Sequence, residues 1–249
     1  MDAVTNRINC KKSPSHRRSP RALRLVAPLL LLLVLTACNS NTVLLVNFNA
    51  DTVGSPPASA QSTGSVALDV GAGSVTVVAS PAAGMPNNKW ARISHPTAPS
   101  TQTAMRADFA QFEGPGRYSL ISVMYIPRGT GVATVAFEPF GQPADSYLNF
   151  LHIDFMPEGN VRIDDGPVVF GSFPHDQSFT LNVALDITNT SATAEISLLG
   201  GVASGNTTVT IDSSLMPVAR QFGAVRYWMG FQHQGSFFVD DILVTRAKG

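Results

Sequence analysis

Cysteine is all but missing from this 249-residue chain, which holds only Cys10 and Cys38. Beyond Cys38 no thiol remains, which excludes an internal disulfide, a cysteine–zinc site and thiol catalysis from that part. Charge is sparse as well, at 14% of residues, and unevenly placed. Seven of the 17 Lys+Arg but only one of the 17 Asp+Glu precede Cys38, so the remainder carries 10 bases against 16 acids, about −6. A domain of that sign lacks the basic patch that a phosphate backbone requires, so nucleic acid is excluded as a partner. The same sign disfavours gripping a strongly anionic polymer through a bulk field. His95, His152, His175 and His233 show neither HxH nor HExxH spacing, so no catalytic zinc is expected. Helical periodicity is nearly absent, apart from a turn or two within "SSLMPVARQF". Long apolar runs are missing too. The longest, "LVAPLLLLLVLTA" from Leu25 to Ala37, has about 13 residues and an early Pro28, well short of the ~20 that span a bilayer.

That short run follows a basic stretch (Arg7, Lys11, Lys12, Arg17, Arg18, Arg21, Arg24) and ends in small residues, the layout of an export signal. Leu35-Thr36-Ala37-Cys38 resembles the bacterial lipobox. The resemblance implies cleavage before Cys38 and a diacylglycerol on its thiol, with the new amino group acylated too. Two or three chains give a durable anchor where one is marginal. An uncleaved signal anchor, or an ordinary signal cut near "LTA", are the alternatives. The expected organisation is a lipoprotein signal peptide over 1–37, a lipidated Cys38 with a short tether over 38–42, and one domain over 43–249. The expected location is the bacterial cell envelope. Asn39, rather than Asp, after the cysteine points to the outer membrane by a sorting rule borrowed from enteric bacteria. About 210 residues suffice for one well-buried core without covalent staples.

What this domain has in abundance is strand signal. Fifteen apolar or alternating segments, from Val43–Phe48 through Tyr147–Phe155 and Ala224–His233 to Phe237–Thr245, are separated by Gly, Pro, Asn and Asp. "FTLNVALDI" alternates strictly, with Phe179, Leu181, Val183, Leu185 and Ile187 on one side, as a half-buried antiparallel strand must. "PEGN" and "LLGGVASGN" read as hairpin turns. Many short strands without intervening helices predict an all-β, two-sheet antiparallel sandwich or jelly roll. The order of "VNFNADTVGSPP", "IDFMPEGNVRIDDG", "FTLNVALDITNTSATAEISLLG" and "GSFFVDDILVTR" resembles the concanavalin A-like (laminin-G-type, lectin/glucanase) jelly-roll domains. That group includes glycan-binding modules, retaining glucanases, polysaccharide lyases and adhesive domains, so fold alone selects no activity.

The glucanases of this group carry Glu-x-Asp-x-(x)-Glu on one strand. Here "HIDFMPEG" puts His152 in place of the first carboxylate, Asp154 in the middle, and Glu158 too far along, past Pro157. Without a nucleophile the paired-carboxylate mechanism fails, and that reading is rejected. The alginate-lyase-like branch implies Arg106, His152, Tyr227 and Gln232 as catalytic candidates. They would neutralise a uronate and move protons, and their order matches the lyase motifs. Against catalysis stands the plainer reading that such residues line sheet faces and pair locally.

The leading expectation is a glycan-binding module or a structural, adhesive domain of the envelope. Trp228 would supply a platform for the apolar face of a sugar, with Arg226, Gln232, His152 and Asp154 as hydrogen-bonding neighbours. Core packing competes with ligand contact for Trp228 and Tyr227. Finally, Phe238, Asp240, Ile242 and Val244 read as one face, which places a carboxylate in an apolar row. Related sandwiches imply a structural Ca²⁺ there, with Asn49 and Asp51 as further oxygen ligands. A backbone or arginine partner, or a bulge, would serve Asp240 equally well.

Overall fold

The computed structural model describes residues 40–248, apart from 83–86, 97–99, 165 and 167–168. The signal segment and Cys38 lie outside the described residues. In chain order the strands are β1 (Ser40–Val46), β2 (Ser65–Asp69), β3 (Ser74–Ala79), β4 (Lys89–His95), β5 (Thr103–Asp108), β6 (Gly116–Tyr125), β7 (Ala133–Pro139) and β8 (Leu151–Phe155). They continue with β9 (Asn160–Ile163), β10 (Val169–Ser172), β11 (Ser178–Ile187), β12 (Ala192–Leu199), β13 (Ser204–Thr210), β14 (Phe222–Met229) and β15 (Gly235–Ala247). A 3₁₀ turn (Ser213–Leu215) and a one-turn helix α1 (Met216–Ala219) precede β14, where the weak helical signal lay. No helix among the described residues is long and apolar enough to cross a membrane.

Every pairing is antiparallel. Sheet A runs β13-β12-β11-β6-β15-β4-β3, with β1 beside the second half of β15. Sheet B runs β2-β5-β14-β7-β8-β9-β10. The two are joined along one side, where β10 pairs β13 through Gly171↔Gly205. Only glycines permit that corner: a Cβ on Gly171 would lie 2.4 Å from the Ser204 carbonyl oxygen. Between the sheets lies one apolar core, to which the inward residues of β11 contribute as the alternation predicts.

Phe222, at the start of β14, bridges that core. It meets Phe109 (4.9 Å), Phe137 (5.8 Å) and Phe150 (5.7 Å) around sheet B, and Tyr118 (5.1 Å) on β6 of sheet A.

Three differences from the sequence reading have physical causes. β1 starts at Ser40, so most of the expected tether is already paired with the last strand, Ser40 against Ala247. β15 is broken by a bulge at Asp240–Asp241, with Asp241 at φ +48°. The extra residue reverses the alternation, so Phe237 and Val239 share the core with Ile242 and Val244, and Phe238 turns outward onto Tyr125. Third, the segment expected as one strand from Tyr147 begins only at Leu151. Residues 140–150 form a loop whose carbonyls accept hydrogen bonds from two arginines, Arg106 and Arg226.

Candidate functional site: a cleft on the outer face of sheet B

The period of two sends half of sheet B away from the core. The outward set is Arg106 and Asp108 on β5, Arg226 and Trp228 on β14, Thr134 and Glu138 on β7, His152 and Asp154 on β8, and Arg162 on β9. Arg106 and Arg226 stand directly opposite one another in register, an arrangement that repels unless neutralised. Glu138 neutralises it. Arg226 Nη2 donates to Glu138 Oε2 at 3.1 Å, and Arg106 Nε lies 3.1 Å from the same oxygen. Asp108 completes the balance at 2.8 Å from Arg106 Nη2. Arg106, Arg226 and Glu138 are all buried. Burial pushes the Glu138 carboxyl up and the Arg106 guanidinium down, each opposed by the charges of its partners. Burial likewise pushes Asp108 to about 6 against the pull of Arg106.

The remaining guanidinium hydrogens hold the β7–β8 loop. Arg226 donates to the carbonyls of Ala144 (2.7 Å) and Ser146 (2.5 Å). Arg106 donates to those of Gln142, Pro143 and Pro139. Drawn down in this way, the loop lays Tyr147 over Arg226, with the guanidinium carbon 4.5 Å from the ring centroid. The Tyr147 hydroxyl donates to Asp69 on β2, and burial together with that bond raises its pKa.

Tyr147 in turn walls a cleft. Its ring lies 5.3 Å from that of Trp228, and the pair borders a volume of about 500 Å³ lined also by Thr134, Asn149, His152, Asp154, Arg162, Phe231 and His233. That size is usual for a small-ligand site. The indole lies along its strand because residue 230 is glycine; a Cβ there would come within 3.2 Å of the Trp228 ring. On the floor, Thr134 Oγ1 donates to Asp154 Oδ1 at 2.6 Å. His152 sits between two carboxylates, its Nε2 3.6 Å from Asp154 and its Nδ1 3.4 Å from Asp164. Those contacts orient the ring.

The expected site residues divide clearly. Trp228, His152 and Asp154 meet in the cleft. Arg226 lies beneath the loop and shapes the cleft from below rather than lining it. Gln232 is exposed at φ +67° in the turn after β14, because that strand ends at Met229, and the cleft receives Phe231 and His233 instead. The four lyase candidates do not converge. Tyr227 is buried in the core on the opposite face, close to Ser122 of β6, and burial raises its pKa. Arg106 is enclosed by carboxylates and carbonyls. A proton relay between His152 and Tyr227 would have to pass through sheet B. Glu158 is exposed in the β8–β9 turn, so the cleft offers no second carboxylate from that motif.

The oxygens expected to hold calcium, on Asp240, Asn49 and Asp51, are engaged by the protein's own donors. Lys89 Nζ donates to the carbonyls of Asn49 (2.9 Å) and Asp51 (2.6 Å), so the chain's own cation takes those oxygens. The Asn49 side-chain oxygen accepts from Lys89 N, and the Asp51 carboxylate accepts from Ala58 N. Asp240 instead accepts from Asn88 Nδ2 at 2.8 Å. Among the described residues no cluster of three or more His, Cys, Asp or Glu could hold a metal ion.

Asp240 is fully buried, and burial raises its carboxyl to about 6; the neighbouring Asp241 charge adds to this, while Asn88 and backbone N–H groups oppose it. A carboxyl that binds its proton more tightly when folded supports the fold at low pH, and that support is lost as pH rises from about 4 through about 6. Asp240→Asn removes the titration and retains an acceptor for Asn88. The variant should be more stable than wild type by about 3 kcal/mol near pH 7.5 and no more stable near pH 4, measured by urea unfolding. Parallel pH profiles would contradict this.

No protein-family model matches the sequence, and no curated protein does. Among solved structures, the catalytic domain of a glycoside hydrolase family 131 protein from Coprinopsis cinerea aligns at TM-score 0.50 and 15% identity, over 82% of this chain and 94% of that one. Lectin II from Ulex europaeus aligns at TM-score 0.49 and 11% identity, over 84% and 100%. Lectin I from the same plant, in complex with the methyl glycoside of α-L-fucose, gives 0.49 and 9%, over 84% and 98%. The strand order and the match to the Coprinopsis domain agree on the fold, an antiparallel two-sheet jelly roll. At such identities the likeness is one of fold.

Proposed function

We propose that this is a lipid-anchored protein of the bacterial cell envelope that binds carbohydrate in the cleft over sheet B. One observation carries the binding reading. The Trp228–Tyr147 pair offers aromatic surface within the same concavity as Thr134, Asn149, His152 and Asp154. A pyranose needs that combination, because its C–H face stacks on an aromatic ring while its hydroxyls require donors and acceptors at the edge. Both aromatic residues are held from beneath, Tyr147 by Arg226 and Asp69 and Trp228 by its strand, so little ordering cost remains for the ligand.

The full chain, purified in detergent, should be retained on immobilised polysaccharide or on a glycan array. Trp228→Ala should weaken retention about tenfold or more, equivalent to ~1.4 kcal/mol, with an unchanged circular dichroism spectrum. Equal retention of wild type and variant would remove the platform.

The anchor rests on the lipobox-like "LTAC" and the signal segment before it. With Ser40 already in β1, only Asn39 separates Cys38 from the folded domain, which would keep the cleft-bearing domain close to the bilayer. Metabolic labelling with a radioactive fatty acid should mark the wild-type protein and not Cys38→Ala. An unlabelled wild type would overturn the anchor.

A further inference from the structure

The cleft holds a cation, Arg162, that makes no ion pair among the described residues. Arg162 projects from β9 into the lining, directly in register with Asp154 on β8. A cross-strand arginine and aspartate ordinarily pair. Here the Asp154 carboxylate is engaged by Thr134 and faced by His152, and Arg162 forms no ion pair among the described residues. Arg162 Nε is buried and has no hydrogen-bond acceptor among the described residues. Elsewhere on the same face Arg106 and Arg226 are both ion-paired, Arg106 with Asp108 and Glu138 and Arg226 with Glu138, and both donate to carbonyls of the β7–β8 segment. A guanidinium presents five donors in a planar fork matched to two oxygens of one anion. A buried donor left open in this way costs stability unless something completes it.

We propose that Arg162 completes an anion subsite, and that the cleft selects an acidic glycan: a pyranose bearing a carboxylate or a sulfate, stacked near Trp228 with its charged group on the Arg162 fork. This rests on the carbohydrate reading above and adds the charge of the ligand to it. His152 and His233 border the same volume, and no lysine does. The surrounding domain is acidic overall, about −6 after Cys38. Recognition therefore works through one short-range bidentate contact rather than through a long-range field, and binding should depend only weakly on salt.

Isothermal titration of the full chain in detergent tests this with three probes of equal length: an oligogalacturonate, its carboxyl-reduced neutral counterpart, and a sulfated form of the neutral one. At least one acidic probe should bind tenfold or more tightly than the neutral probe, and which of the two does so identifies the anion. Arg162→Gln should abolish that preference while leaving neutral binding within about twofold, whereas Trp228→Ala should weaken all probes together. Equal binding of acidic and neutral probes, or a preference that survives in Arg162→Gln, overturns the subsite and leaves the carbohydrate reading standing. If no probe binds and the arrays above are also blank, the carbohydrate reading fails and the subsite falls with it.

Discussion

Glu138→Ala is expected to cost about 3–5 kcal/mol, the largest effect of any single substitution on the face that carries the cleft. The carboxylate is 1% exposed and is the shared counter-ion of Arg106 and Arg226, which stand opposite one another in register. Removing it leaves two buried guanidiniums with Asp108 alone to balance them. The penalty is that of an uncompensated charge and far exceeds the worth of an exposed ion pair. Glu138→Gln keeps the volume and one acceptor and should lose less. The damage should also spread to the loop over 140–150, since both arginines hold its carbonyls. Amide hydrogen exchange in that loop should accelerate in Glu138→Ala beyond the change in β11, on the far sheet. Uniform acceleration would mean that the network contributes only global stability.

Phe222→Ala is expected to lose a similar amount, about 3–5 kcal/mol, for a different reason. Phe222 is fully buried and its ring touches four other aromatic rings drawn from both sheets. Three of those contacts are edge-to-face, the geometry that adds to simple burial. The neighbours come from four separate segments of the chain and cannot collapse together into the space, so the cavity persists. Phe222→Leu should recover about half of the loss. Urea unfolding measures both; a loss under about 1 kcal/mol for Phe222→Ala would show that the site collapses after all.

The strands were legible in the sequence because each half-buried strand writes its own alternation. β11 shows this best, its five inward residues all lying in the core. Where the alternation is interrupted, the reading goes astray. The bulge at Asp240–Asp241 reversed the face of Phe238, and nothing local distinguishes "FVDDI" with a bulge from the same letters without one. The segment "YLNFLHIDF" carries strand-like residues from Tyr147 onward, yet Arg226 and Arg106, some 80 and 40 residues away in the chain, take the loop's carbonyls.

The cleft divides along the same line. His152, Asp154 and Trp228 were found because a period of two fixes which way they point. Tyr147, Asn149 and Phe231 reach the cleft from loops and were missed. Arg162 lies on a strand, and its outward register with Asp154 was readable from "NVRID" opposite "LHIDF". Gln232 was misplaced because the strand was carried four residues too far.

Tryptophan emission tests the central claim most directly. The chain has two tryptophans: Trp90, buried on β4 at 1% exposure, and Trp228 in the cleft. Titrating an oligosaccharide that the protein retains should change the emission saturably in wild type and in Trp90→Phe. Trp228→Phe should show no such change. A saturable change that persists in Trp228→Phe would place binding outside the cleft and contradict the account.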